Sequence, residues 1–278
     1  DLLVEGVHFR REHSTAQDIG WKAAASSLSD IAAMGGTPMF CLISLACPSN
    51  CEVSYLDGLY HGLSDAVSQC GAAIVGGDTT RSEEKILLDV TVIGEVIGNR
   101  YISRRGAQAG DLLCVTGWPG RAASGLWALE HNASAPPILV QAFNRPEARL
   151  AEGLWLGGCS NTRCMIDISD GLVQDAGHLV ENGYLGIDLD PGKLPVHPDL
   201  ERFCEDNGLN PFDFVLAGGE DYELLFALRD TDIEHCLAAY KREFRTPIHI
   251  IGTFTDAWRG VKVGGETPAR AGFDHFKS

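Results

Sequence analysis

Three stretches of this chain share one construction, in which an apolar run gives way abruptly to small residues and carboxylates. They are residues 72–82 (AAIVGGDTTRS), 165–171 (MIDISDG) and 214–228 (FVLAGGEDYELLFAL). An apolar run of this length predicts a buried strand, and the acids predict where it leaves the sheet. In the first stretch Gly76 and Gly77 let the backbone take unusual angles and let another group come close. Asp78 then places a carboxylate at the strand's exit beside Thr79, Thr80 and Arg81. A carboxylate next to phosphate-type donors makes sense if a metal ion lies between them. Taken alone, the same residues also suit a tight turn with a satisfied aspartate. The recurrence favours a functional site: Asp167 and Asp170 flank Ser169 where a strand turns into a helix whose N-terminus suits anions, and Glu220, Asp221 and Tyr222 follow Gly218-Gly219.

Around these stretches the pattern is that of alternating helices and strands. Helices are predicted at 18–34, capped by Asp18 and stopped by Gly35-Gly36, and at 53–69, with Leu56, Leu59, Leu63 and Val67 as the apolar stripe. Tyr60, close to that stripe, suits core packing or a nucleotide contact. Further helices are expected at 120–131, 146–155, 172–181 and 231–244, and strands at 38–47, 86–98, 111–117, 186–189 and 249–254. Residues 105–110 (RGAQAG) read as a flexible boundary. Residues 1–107 and 108–278 are therefore expected to form two domains. On the first helix Asp30 sits among alanines, as either a buried structural group or a metal ligand.

The chain has 22 basic and 38 acidic residues, a net charge of −16. That argues against nucleic acid and anionic membranes as partners, but not against small phosphorylated ligands bridged by divalent cations. There is no run of 18 apolar residues. The nine cysteines include no C-x-x-C pair, which fits reduced thiols in a cytoplasmic protein. Asp1, Asp30, Asp78, Asp167 and Asp170 all lie at or near predicted element ends. Clustered without cations they would repel, by ~4 kcal/mol for each pair 4 Å apart at an effective dielectric of 20. Oxygen-only ligands favour Mg²⁺. P-loop, dinucleotide-binding, protein-kinase, nucleophile-elbow and zinc-protease motifs are all absent.

The segments DLLVEGVHF, SLSDIAAMGG, IVGGDTTRS, IDISDG, AGGEDYELLF and GFDHF, in this order from residue 1 to residue 276, resemble thiamine-monophosphate kinases. That family belongs to the ATP-binding superfamily of aminoimidazole ribonucleotide synthetase and selenophosphate synthetase. The resemblance implies an α+β fold of two domains: an aminoimidazole ribonucleotide synthetase-like N-terminal domain that dimerises through its sheet, and a C-terminal α/β sandwich. It implies transfer of the γ-phosphoryl of ATP to thiamine monophosphate, giving thiamine diphosphate, with several Mg²⁺ ions. By motif, Asp1, Asp30, Asp78, Asp167 and Asp170 would hold the metal, with Asp78 and Asp170 central to catalysis. Gly77, Asp78, Arg104 and Ser169 would meet ATP, Arg104 being chosen over its neighbour Arg105. His8, Glu220 and Phe273 would face the thiamine end. The family also carries a Gly-Asp-Asp motif and a Ser-Thr pair before the position of Asp1, which are expected in a segment preceding this sequence. Rival readings are another synthetase of the superfamily, or a non-catalytic protein that binds nucleotide or thiamine phosphate.

Overall fold

The computed structural model describes residues 1–273 apart from Asn182 and Asp232, and the backbone alone of Asn99. Residues 274–276, which complete the GFDHF motif, lie outside the described residues. The first half of the chain builds a sheet from β1 (Leu2–Val4), β2 (Gly36–Cys47), β3 (Ala73–Arg81) and β4 (Leu87–Val96), in the order β1-β4-β2-β3. Helices α1 (Ala16–Ala33) and α2 (Val53–Gln69) cover one face of it. Along β2 the alternation is plain: Cys41, Ile43 and Leu45 are buried under the helices, while Phe40 and Leu42 stay exposed on the far face. Ile93 of β4, the register partner of Phe40, joins them there.

The second half builds a sheet from β5 (Leu112–Thr116), β6 (Thr162–Asp167), β7 (Gly186–Leu189), β8 (Leu224–Leu228), β9 (Ile248–Thr255) and β10 (Gly260–Val263), in the order β10-β7-β9-β5-β8-β6. Its helices are α3 (Arg121–Glu130), α4 (Pro137–Asn144), α5 (Leu150–Gly158), α6 (Leu172–Val180), α7 (Pro198–Asn207), α8 (Pro211–Ala217) and α9 (Ile233–Glu243). The chain crosses between the sheets through residues 97–111. A third core joins the two halves, with Ala32 and Ala33 at the end of α1 packed among Met165, Leu224 and Phe226. That packing sets the acid at the end of α1 beside the acids at the end of β6. No helix among the described residues is long and apolar enough to cross a membrane, and the nine cysteines are all unbridged.

Four local expectations need correction. Thr15 rather than Asp18 caps α1: its Oγ1 accepts from the Asp18 backbone N–H at 3.2 Å and donates to the Asp18 carboxylate at 2.7 Å. The expected helix at 146–155 starts only at Leu150, because the chain before it is held by Trp21 Nε1 donating to the Pro146 carbonyl and by the buried Arg149. Residues 214–217 belong to the helix α8, not to a strand, since Asn210 caps it and Pro211 starts it. Finally, Asp78 lies inside β3, which runs on to Arg81.

Candidate active site

A cavity of about 530 Å³ opens between the two halves of the molecule. Asp1 and His8 reach it from the first strand and the loop behind it, Ser26 and Asp30 from α1, and Arg104 from the crossover. Asp167, Ser169 and Asp170 enter from the end of β6, Gly219, Glu220 and Tyr222 from the loop before β8, and Phe273 from the C-terminal segment. Arg105, its neighbour, is not among the lining residues.

The turn from β6 into α6 is built around one buried carboxylate. Asp175 Oδ2 accepts from the backbone N–H groups of Ser169, Asp170 and Gly171, at 3.1, 3.1 and 3.0 Å. Burial, together with the charges of Asp167 and Asp170, pushes Asp175 up to about 7. Asp170, Asp175 and His178 also bring one ligand atom each within 4.8 Å of one another. Since Asp175 is committed to three backbone donors, its evident work is to brace the turn. Asp167 is almost wholly buried and accepts from Ser29 Oγ at 2.6 Å. Burial raises it to about 6 despite that bond, and the charge of Asp30 adds to the rise. Asp30 opens onto the cavity yet is also held above its usual range, by lost hydration that outweighs the pull of Arg104. Asp30 and Asp167 thus offer carboxylate oxygens whose charge is costly unless a cation joins them, and with Asp170 on the same cavity they form a donor set suited to a hard divalent ion.

The loop carrying Glu220 is an alternating clamp. Glu220 and Tyr222 have positive φ, 65° and 52°, conformations rare for residues with side chains. Neighbouring side chains therefore point apart. Glu220 turns to the cavity and to Lys22 Nζ, at 2.8 Å. Asp221 turns away and accepts from the Gly120 and Ala122 backbone N–H groups at the start of α3, at 2.6 and 3.0 Å. Tyr222 returns to the cavity. Glu223, fully buried, accepts from both ends of the Arg149 guanidinium at 2.7 Å each and from Thr116 Oγ1 at 2.8 Å. Burial alone would raise Glu223, but Arg149 and Arg121 hold it below the usual range. Backbone bonds from Glu220 N to the Ser169 carbonyl and from Tyr222 N to the Ile168 carbonyl tie this loop to the acidic turn.

His8 accepts from the Val4 backbone N–H through Nδ1 at 3.0 Å, which places its ring proton on Nε2. Asp78 and Gly77 stand apart from the cavity. Register partners run Leu2, Asp89, Ser44, Asp78 across the sheet, so Asp78 lies three strand spacings, roughly 14 Å, from Leu2. Gly77 is fixed by crowding: a Cβ there would lie 1.8 Å from the Ile43 carbonyl oxygen.

The descriptive model "AIR synthase related protein, N-terminal domain" matches residues 1–96. The chain is 39% identical over 230 residues to the thiamine-monophosphate kinase of Aquifex aeolicus, covering 81% of this chain and 73% of that one. It belongs to the thiamine-monophosphate kinase family. The Escherichia coli K12 enzyme of that family is 33% identical over 285 residues, 99% of this chain and 85% of its own. The solved structure of AaThiL complexed with AMPPCP and TMP superposes with a TM-score of 0.87 at 34% identity, over 99% of this chain and 85% of that one.

Around this cavity, Lys22 and Asp175 are the residues that the sequence does not single out. Lys22 carried the one available signal, a charge inside the run of small residues on the buried side of α1. Asp175 gave none, because an acid in the first turn of a helix is ordinary.

Proposed function

We propose that this chain transfers the γ-phosphoryl group of ATP to the phosphate of thiamine monophosphate, releasing thiamine diphosphate and ADP. The observation that carries the reading is convergence: in a member of this kinase family, Asp30, Asp167, Ser169, Asp170, Glu220 and Phe273 come from distant parts of the chain to line one cavity. The acceptor phosphate is already an anion at neutral pH, so no general base is needed to create the nucleophile. The work of the site is to hold two anions in line. Arg104 and the Ser169 hydroxyl serve ATP. Glu220, His8 through Nε2–H and the flat ring of Phe273 serve the thiamine end, whose rings are cationic and aromatic. Mg²⁺ ions on Asp1, Asp30, Asp78, Asp167 and Asp170 would supply the positive charge that offsets carboxylates and phosphates alike. Transfer is direct, without a phospho-enzyme, and proceeds with inversion at the transferred phosphorus.

Asp78 enters this scheme through a homodimer. Its row of the first sheet lies on the exposed face, with Phe40, Leu42 and Ile93 nearby, an apolar surface suited to a second copy. Stacking two such faces about a two-fold axis, with the β3 edge of one over the β1 edge of the other, would bring the partner's Asp78 toward the cavity that its own chain cannot reach.

The direct test is ADP release, followed in a coupled assay with ATP, thiamine monophosphate and Mg²⁺. Turnover that needs all three is expected. Binding of both substrates without turnover would make the chain a sensor, and release of ADP without thiamine monophosphate would move it to another reaction of the superfamily.

A further inference from the structure

Lys22 is the one lysine buried in the cores of the described residues, at 2% exposure, on the α1 face that also carries Ser26 and Ser29. An ammonium in such a place is costly unless paired. Its Nζ donates to Glu220 Oε2 at 2.8 Å, approaches the His8 carbonyl at 3.4 Å and stands 3.6 Å from the centre of the Phe143 ring. Glu220 lies in the other half of the molecule, 198 positions away in sequence, and half-faces the cavity. Its backbone is held in the left-handed region and its N–H is bound to the Ser169 carbonyl, so the remaining freedom is in the side chain. Lys22 fixes that freedom.

We propose that Lys22 is a positioning residue for recognition of the thiamine moiety. It orients the Glu220 carboxylate, and through the His8 carbonyl the loop carrying His8, without itself lining the cavity. The inference rests on the kinase reading, and on Glu220 and His8 facing the thiamine end within it. A buried ion pair is weak evidence of added stability, since apolar replacements often do as well. Keeping one here therefore has to be explained by what Glu220 must do. A lysine with only a structural role would, when replaced, disturb the nucleotide and thiamine ends alike or leave both intact. A positioning lysine disturbs one end.

The experiment is calorimetric titration of thiamine monophosphate, and separately of ADP, into the wild-type chain, K22M, K22Q, E220Q and the K22M/E220Q double variant. In K22M the affinity for thiamine monophosphate should fall by about tenfold or more while that for ADP stays within about twofold. In the E220Q background, loss of Lys22 should cost less than about threefold, because its target is already altered. K22Q keeps a donor toward Glu220 but not the charge, and covers the case in which K22M does not fold: it should lose several-fold for thiamine monophosphate only. The proposal is overturned if K22M, or K22Q in its place, binds thiamine monophosphate as the wild type does. Equal weakening of both ligands, or an equal loss with and without Glu220, overturns it too. Wild-type protein that fails to bind thiamine monophosphate would sink the kinase reading itself, whereas wild-type binding with an indifferent Lys22 variant removes this inference alone.

Discussion

Asp167 shows how much the acidic site depends on what neutralises it. Its carboxyl is raised from the ordinary range to about 6, chiefly by burial. A raised acid binds its proton more tightly folded than unfolded, so the group costs nothing below its unfolded value near 4. The cost grows as pH rises toward 6 and is complete above it. Asp167→Asn keeps an acceptor for Ser29 Oγ and removes the charge. In metal-free buffer at pH 7.5 this variant should be more stable than wild type by ~1–3 kcal/mol, with the gap closing by pH 4. Thermal melts across that range decide it, and a gap that widens on acidification would contradict the assigned cause. On the proposed function, the same variant should lose most turnover and should gain less stability than the wild type on addition of Mg²⁺, because the removed charge is one that the cation would answer. Two of the acids that matter most for architecture, Asp175 and Glu223, are spent on backbone donors and arginines, where side-chain type alone reveals nothing.

At the scale of elements, α1 is the member on which both ends of the cavity hang. Along one side it presents Lys22 to Glu220, Ser26 to the cavity and Ser29 to Asp167, and its last turns carry Asp30. Its position is set by α2 at a very close crossing: a Cβ on Gly62 would sit 1.8 Å from the Gln17 carbonyl oxygen. Gly62→Ala should therefore push the helices apart, cost ~1–3 kcal/mol or more in urea denaturation, and weaken thiamine monophosphate although residue 62 touches no part of the cavity. A variant with unchanged stability and binding would show that α1 can shift without consequence. The helices α1 and α2 and the strand β7 were legible because their apolar periodicity is long or their flanks are sharply marked. Helices α4 and α8 were not. The first lies in an apolar run without a polar face, and the second is a single apolar segment whose proline and asparagine start signals compete with the strand-like FVLA.

For the whole molecule, the question is whether one chain is enough. Six of the predicted metal and nucleotide residues, Asp1, Asp30, Arg104, Asp167, Ser169 and Asp170, share one cavity, while Gly77 and Asp78 lie across the sheet from it. If a homodimer supplies the partner's Asp78, mixing inactive Asp78→Asn with inactive Asp167→Asn protein should restore activity. After subunit exchange half the dimers are mixed and each has one intact site, so recovery should approach about a quarter of wild-type specific activity. No recovery, despite proven exchange, would place Asp78 outside the reaction. Sedimentation should show a dimer, and Phe40→Glu should shift it toward monomer by putting charge into the exposed apolar face.

The sequence by itself determined much of the order of helices and strands, the α+β plan and the family to which the chain belongs, because periodicity and local motifs act over a few positions. Tertiary structure decided what those residues do to one another. It put Asp30 against Asp167, aimed Glu220 through a lysine 198 positions away, and left Asp78 on the far edge of the sheet. Each depends on strand order and helix crossing, which are set by packing between segments remote in the chain, and no short stretch of sequence records them.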